Sequence, residues 1–439
     1  MSTEYSALQK LGTWSLVPAP LNKPVLGSKW MFKTKYLPNG KIASYKARLV
    51  ALGCSQEFGI KFTETFSPVA TMVTIRMLLT IALHHNWPVT QLDISNAFYP
   101  RFIFSKADPS LLLYAKAEDQ VFVLIYVDDI LITGNNKSQI QLTLQHLQSA
   151  FRLKKLGNVS LFLGIQVTQT TYGYFLNQTH YANELLSHSG FSDCKPSTTP
   201  ALTKPSKLQD ETLFSDPQLF RKLAGSLQYL SITRPDIAFA VNSICQFMHP
   251  PRNCDYLALK RLLRYIKGTA NFGLPITRGS LCLRRYSDAD WAADPIERKS
   301  MSGYCTFLGP NLISWSVKKQ TTAARSSTEV EYRSLSSAIS EVLWIRRLAA
   351  ELLIPQPQTT VLHCDNTSAI ALANNIVLHA RTKHIEIDHH FIRDHIKHGN
   401  IDIAHISSTD QIADIMTKSL PSSCFTFLRS KLTIRSPNG

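Results

Sequence analysis

The sequence predicts a multidomain chain of mixed α/β and α+β type. Three observations predict it. The 439 residues are 44% hydrophobic, enough for roughly two to four packed domains. The N-terminal half pairs strand-like runs as hairpins around helical stretches. The C-terminal third runs strand, strand, strand, helix, strand, helix, strand, helix, which is the pattern of a mixed sheet covered by helices.

The elements follow in order. Pro38-Asn39-Gly40 sits between two basic strand-like runs, GSKWMFKTKY and KIASYKARLV, so residues 27–50 read as a hairpin. Residues 73–85, VTIRMLLTIALHH, have helical spacing, and the strand-like VTQLDI follows. VFVLIYV and ILIT flank Asp128-Asp129, a hairpin with both acids at its turn. Residues 194–218 are rich in Pro, Ser and Thr and read as a surface connection. Two helical segments and a third, YLALKRLLRYIKG, come next, and Gly268 to Gly279 reads as a break. Then come LCLRRYSD, GYCTFLG and ISWSVKK as strands, a helix from Glu329 to about Leu353, the strand VLHCD, a helix, the strand NIDIAHI and a final helix.

Charge and cysteine usage narrow the function classes. Lys+Arg number 47 against 31 Asp+Glu, a net charge of +16, which favours a polyanionic partner such as nucleic acid, with a merely basic soluble protein as the alternative that charge leaves open. The eight cysteines are scattered with no C-x-x-C pair, as reduced thiols are, not a disulfide scaffold or zinc site. No apolar run is long enough to cross a membrane and no signal-peptide pattern opens the chain, so an intracellular protein without a membrane partner is expected.

Two groups of acids point to chemistry. Carboxylates stacked between apolar runs, as at Asp128-Asp129, are costly unless a cation neutralises them, and Mg²⁺ prefers one or two carboxylates plus substrate phosphates. Asp93 ends another strand-like stretch. A strand-end acid beside an acid-bearing hairpin can hold two metal ions for attack of a hydroxyl on a nucleoside triphosphate. An ordinary surface Asp-Asp turn is the alternative. In the second group, Asp288 ends LCLRRYSD, Glu331 lies in the first turns of the long helix, Asp365 ends VLHCD and Asp414 lies in TDQIADIMTK, expected in the last helix. Four carboxylates around two Mg²⁺ ions, with Mn²⁺ as a substitute, would hydrolyse a phosphodiester. Each acid has a competitor. Glu329 fits a capping box with Ser326 and Glu331 one with Thr328. Asp290 and Asp294 compete with Asp288, and Asp410 suits a helix N-terminus. His405 is a strand-end histidine, structural or a proton shuttle. His384, Asp388, His389 and His390 have a metal-site look that a basic helical face explains equally well. Lys260, Arg264 and Lys267 share one helical face, a phosphate-tracking ridge or simply a solvated one.

Several motifs carry a family resemblance. Tyr126-Val127-Asp128-Asp129 with LDISNAF upstream resembles the polymerase motifs of reverse transcriptases, and GSKWMFKTK, YKARLVALG and FTETFSPVATMVTIR resemble those of Ty1/copia-type LTR retrotransposons. YSDADWA, SSTEVEYRSL, CDNTSAI and QIADIMTKSL resemble, in order, the four motifs of the ribonuclease H domain that follows reverse transcriptase in their Pol polyproteins. The resemblance implies right-hand polymerase fingers and palm over 1–165, a helical thumb or connection over 166–279, an RNase H-like domain over 280–420 and a tail over 421–439. It implies that Asp93 and Asp128 ligate metal with Asp129 in support, and that Lys46 and Arg48 lie near the incoming triphosphate. Asp288, Glu331, Asp365 and Asp414 would be the nuclease acids. An RNA template, a DNA primer, deoxynucleoside triphosphates and RNA–DNA hybrid are the implied partners, in a cytoplasmic particle or the nucleus. The chain is expected to begin inside the polymerase region of such a polyprotein.

One departure stands out. Only 34 residues separate Asp93 from Asp128, and none resembles the family's SLYGLKQAPR-like segment, which shapes the nucleotide and template pocket. The seam lies near Pro100-Arg101. Because positioning is a large part of phosphoryl-transfer catalysis, the resemblance implies an impaired polymerase beside an intact nuclease. The alternative is an inactive retroelement relic that at most binds nucleic acid.

Overall fold

The structure is a computed structural model that describes residues 5, 17–18, 25–36, 42–52, 70–94, 102–116, 118–127, 129–150, 153–203, 210–294, 297–375 and 386–437. It divides into two units, Met1–Ser67 and Pro68–Gly439.

In the first unit β1 (Ser28–Tyr36) and β2 (Ile42–Ala51) pair antiparallel, with Ser28 opposite Ala51. This is the hairpin the sequence predicts. Its turn, Pro38-Asn39-Gly40, lies outside the described residues.

The second unit holds three sheets. The first comprises β3 (Val89–Ile94), β4 (Ile103–Phe104), β5 (Leu111–Lys116), β6 (Asp119–Tyr126), β7 (Asp129–Gly134) and β8 (Leu153–Asn158), in the order β4-β5-β6-β7-β3-β8. Helix α1 (Met72–His85) packs Met77 and Leu78 in one core with Phe122, Leu124 and Leu131. Helix α2 (Lys137–Ala150) packs Ile140, Leu144 and Leu147 in another with Val121, Val123, Ile130 and Ile132. Both faces of β6 and β7 are therefore buried, which is why their sequence is continuously apolar instead of alternating. Thr71 caps α1 by accepting from the Thr74 backbone N–H, and Asn86 closes it with φ 57°.

The second sheet is β9 (Leu161–Phe162), β10 (Ile165–Thr170), β11 (Gly173–Asn177) and β12 (Gly273–Thr277), in the order β12-β11-β10-β9. The sequence reading placed a break at Gly268–Gly279, and the structure corrects it, because β12 runs through that stretch. Pro275 is tolerated because β12 is an edge strand. Four helices pack here: α3 (Thr179–His188), α4 (Pro217–Leu230), α5 (Ala238–Cys245) and α6 (Asn253–Gly268). Pro235 opens a three-residue 3₁₀ turn that leads into α5. Beside it the buried Arg234 guanidinium donates to both Asp236 oxygens (2.9 and 2.8 Å) and to the Thr269 carbonyl (2.6 Å), while Tyr265 donates to Asp236 (2.6 Å).

The third sheet is β13 (Leu283–Asp290), β14 (Met301–Leu308), β15 (Asn311–Lys319), β16 (Thr360–Cys364) and β17 (Ile401–His405), in the order β15-β14-β13-β16-β17. The first three are antiparallel neighbours, whereas β16 runs parallel to β13 and β17 parallel to β16. Helix α7 (Ser327–Glu351) packs along β13 and β14, with Tyr332, Leu335, Ile339 and Val342 in a core shared with Leu362, Ile392 and Ile403. The one helix expected between VLHCD and NIDIAHI is two, α8 (Thr367–Asn374) and α9 (Glu386–Lys397). The chain ends with α10 (Asp414–Thr417) and α11 (Ser422–Lys431). Asp414 thus opens a four-residue helix, not the last one.

The first and third sheets are tied together. The Arg76 guanidinium of α1 is buried, donates to the carbonyls of Ile313 (2.8 Å) and Ile232 (2.6 Å), and lies 4.0 Å over the Trp315 ring. From α7, Trp344 donates to the Ala107 carbonyl (2.8 Å), and Glu351 accepts from the Lys106 backbone N–H (3.1 Å) and the Ser105 hydroxyl.

Candidate active site

Strand and helix ends of the third sheet bring carboxylates together. Asp288 lies on β13, opposite Gly303 of β14. Asp365 follows the last residue of the parallel neighbour β16, so both acids emerge at the same sheet end. Glu331 lies in the second turn of α7, on the face that packs against β13. Asp288, Glu331 and Asp365 each offer a carboxylate oxygen within 4.8 Å of the others. Asp288 and Glu331 are buried and Asp365 is half-buried.

Neighbours orient these oxygens. Glu331 accepts from the Ala289 backbone N–H (3.1 Å), and the buried Cys364 thiol lies 3.9 Å away. Asp288 accepts from the Thr417 hydroxyl, and Asp365 from the Ser408 hydroxyl at 2.8 Å. Asp414 is buried on α10, outside the group of three. Between it and Asp288 stands Lys418, whose ammonium lies 3.0 Å from Asp414 Oδ1 and 3.7 Å from Asp288 Oδ2.

Electrostatics mark the site as built for a cation. Burial, and then the Asp288 carboxylate, push Glu331 up to about 9. The same two causes push Asp414 up to about 7 against the pull of Lys418. Burial raises Asp290 too. Carboxylates forced together in a buried pocket bind either protons or a metal ion, and an oxygen-only donor set suits Mg²⁺ or Mn²⁺. The residues present fit such an ion.

Of the competing acids, Asp290 stays within electrostatic reach of Asp288 and Lys418, and the others go elsewhere. Asp294 pairs with Lys319 at 2.6 Å, and Asp410 with Lys431 at 3.5 Å. Ser326 caps α7 by accepting from the Glu329 N–H, while the Glu329 carboxylate accepts from the Arg325 N–H and pairs with Arg333 at 2.7 Å. The reciprocal bond thus lands one residue earlier than a capping box requires. His405 is exposed on β17. His389 is buried in near-parallel stack on Tyr332 and His390 is exposed, so the two diverge; His384 lies outside the described residues. Of the basic ridge, Arg264 donates to the Lys195 carbonyl (2.9 Å) and Lys260 lies 4.6 Å over Tyr256. Lys418, Thr417 and Ser408 are absent from the sequence reading. The signal for Lys418 is its spacing, four residues after Asp414.

The first sheet carries the other acids. Asp93 on β3 stands opposite Asp129 on β7, and Asp129 also pairs with Tyr126 across the hairpin. Asp128 and the Asp93 side chain lie outside the described residues. Between Tyr126 and Asp129 the turn forces Val127 to φ 53°, a conformation that costs a β-branched residue about 1–3 kcal/mol and is found mostly at functional sites. In the first unit, Arg48 is exposed on β2 opposite Met31, and Lys46 pairs opposite Lys33.

Residues 11–104 and 99–203 match the reverse transcriptase (RNA-dependent DNA polymerase) family, in two segments that meet at the expected seam. The retrovirus-related Pol polyprotein from transposon RE1 of Arabidopsis thaliana is 39% identical over 489 positions, covering 99% of this chain and 33% of its own length. The one from transposon TNT 1-94 of Nicotiana tabacum is 33% identical over 488 positions, covering 97% and 37%. An uncharacterized mitochondrial protein of Arabidopsis thaliana is 47% identical over 225 positions, covering 51% of this chain and 94% of its own. With 489 aligned positions against 439 residues, at least 50 positions of the RE1 protein have no counterpart here. The chain spans about a third of the length of the Pol polyproteins it matches. Among solved structures, the N-terminal RNase H domain of a Mycobacterium tuberculosis protein aligns over 34% of this chain and 98% of its own, with 11% identity and TM-score 0.23. An RNase H1 of Halobacterium salinarum aligns over 31% and 93%, with 13% identity and TM-score 0.23. With the ordered motifs, the match to the polymerase family and to the polyproteins leads to one conclusion: the chain belongs to the Ty1/copia-type retrotransposon Pol polyproteins.

Proposed function

We propose that this chain is a metal-dependent nuclease that cuts the RNA strand of RNA–DNA hybrids, joined to a polymerase palm that no longer extends primers. The observation that carries the reading is the convergence of Asp288, Glu331 and Asp365 within 4.8 Å. The sheet order β15-β14-β13-β16-β17 supports it, because it brings these acids to one sheet end. A divalent ion bound there supplies Lewis acidity toward the scissile phosphate and the attacking water. The chain's own residues do the rest. Asp288 and Glu331 hold fixed oxygens through Thr417 and the Ala289 N–H, and Ser408 orients Asp365. The net charge of +16 favours a polyanionic duplex, and hybrid-specific cutting rests on helix shape and 2′-hydroxyls.

The polymerase reading differs. Asp93 and Asp129 stay in register, but at least 50 family positions are lacking and the family match breaks at 99–104. That gap favours loss of primer extension with the palm kept as scaffold. Lys46 and Arg48 would then have no triphosphate to hold. The proposed boundaries, 1–165, 166–279, 280–420 and 421–439, follow the family's order.

The test is cleavage of RNA-labelled hybrid by the full chain with Mg²⁺, beside Asp365→Asn. Cutting by the parent alone supports the nuclease. Silence from folded parent leaves the relic that at most binds nucleic acid.

A further inference from the structure

The four acids are not equivalent. Asp288, Glu331 and Asp365 form one group, and the fourth, Asp414, faces an ammonium. Lys418 follows α10 as its extended C-cap, its backbone N–H donates to the Asp414 carbonyl, and its side chain returns to the Asp414 carboxylate. Its Nζ lies 3.0 Å from Asp414 and 3.7 Å from Asp288, and its side chain is one-third exposed. The Asp288 oxygen that faces Lys418 also accepts from the Thr417 hydroxyl. One oxygen of each acid on this side, Asp288 Oδ2 and Asp414 Oδ1, therefore already faces the Lys418 ammonium. A dication seated between Asp288 and Asp414 would meet the Lys418 charge at close range, whereas Glu331 and Asp365 form no ion pair among the described residues and Lys418 acts on Asp365 only as its weakest carboxylate neighbour.

We propose that Lys418 is a built-in counter-ion for the Asp288–Asp414 side of the site, so that the free protein takes a single divalent ion, at Asp288, Glu331 and Asp365. The ammonium then stands where a second dication would, and Lys418 acts as a positioning residue that holds Asp288 and Asp414 apart from each other's charge. The inference deepens the nuclease reading and rests on it.

Mn²⁺ titration of the full chain without nucleic acid, followed by electron paramagnetic resonance, tests it. The parent is expected to bind one ion and Lys418→Met two. Lys418→Arg, which keeps the charge, should stay at one, and Asp365→Asn should lose the ion. Circular dichroism confirms that each variant is folded. Two ions in the parent, or a single ion in folded Lys418→Met, would overturn the proposal. If neither the parent nor Lys418→Met binds Mn²⁺, the metal-dependent reading itself fails, and the counter-ion role falls with it.

Discussion

The two acid-bearing regions are assembled in opposite ways. Asp93 and Asp129 come from neighbouring strands of one sheet, within a short span of sequence, and stand opposite each other in the register of β3 and β7. The acids of the proposed nuclease site come from the ends of four elements, with Asp288 bonded to Thr417 across 129 positions. The local arrangement survives where the sequence around it is cut, because a hairpin and its neighbour strand define it. The pocket it must serve depends on other elements, and the proposed loss of primer extension rests on that difference. The dispersed arrangement depends on the third sheet and its helices, whose residues all follow the seam in sequence. Intact ligands are therefore weak grounds for activity at the first site and strong grounds at the second.

The largest effect should come from repairing the first site. Grafting the RE1 protein's sequence across the 99–104 break in the family match should raise primer extension by about 10⁵-fold or more, the scale that positioning can reach. Asp128→Asn should abolish the gain. If the parent already extends primers, the contrast between the sites collapses.

Next come the nuclease acids. Asp288→Asn and Glu331→Gln should each lower hybrid cleavage by roughly 10²–10³-fold, and Asp93→Asn should leave it unchanged. The scaffold shared by both sites can be probed at the buried Arg234–Asp236 pair. Asp236→Ala strands a buried guanidinium and should cost about 3–5 kcal/mol in urea unfolding.

A smaller effect concerns pH. Glu331 at about 9 and Asp414 at about 7 lie above ordinary unfolded carboxylates near 4. Their stabilising contribution is present below the unfolded value and is lost as pH rises through 7 and then 9. The metal-free protein should melt progressively lower between pH 6 and about 9, and Mg²⁺ should flatten that slope. The smallest effect is at Lys319, part of a partly exposed ion pair with Asp294. Lys319→Met should change stability by less than about 1 kcal/mol and spare cleavage, separating Asp294 from Asp288.

Much of this was legible in the sequence where local patterns decide. The strands that end in Asp288 and Asp365 and the helix that carries Glu331 follow from apolar runs and caps. The second sheet was not, because β9 is two residues long and β12 is an edge strand containing Gly273 and Pro275. Its pairing of Phe175 with Pro275 is a long-range event that no local pattern encodes. Four carboxylates could be named from spacing, but the split between three clustered acids and one lysine-paired acid depends on where α10 docks. Lys418 reads in sequence as an ordinary i, i+4 partner of Asp414; its reach to Asp288 is tertiary.

One reaction tests the central contrast directly. A labelled DNA primer annealed to a differently labelled RNA template is incubated with the full chain, Mg²⁺ and all four deoxynucleoside triphosphates. Shortened RNA with an unextended primer is the predicted result, and it should vanish in Asp365→Asn. An extended primer, or intact RNA with folded protein, would contradict the account.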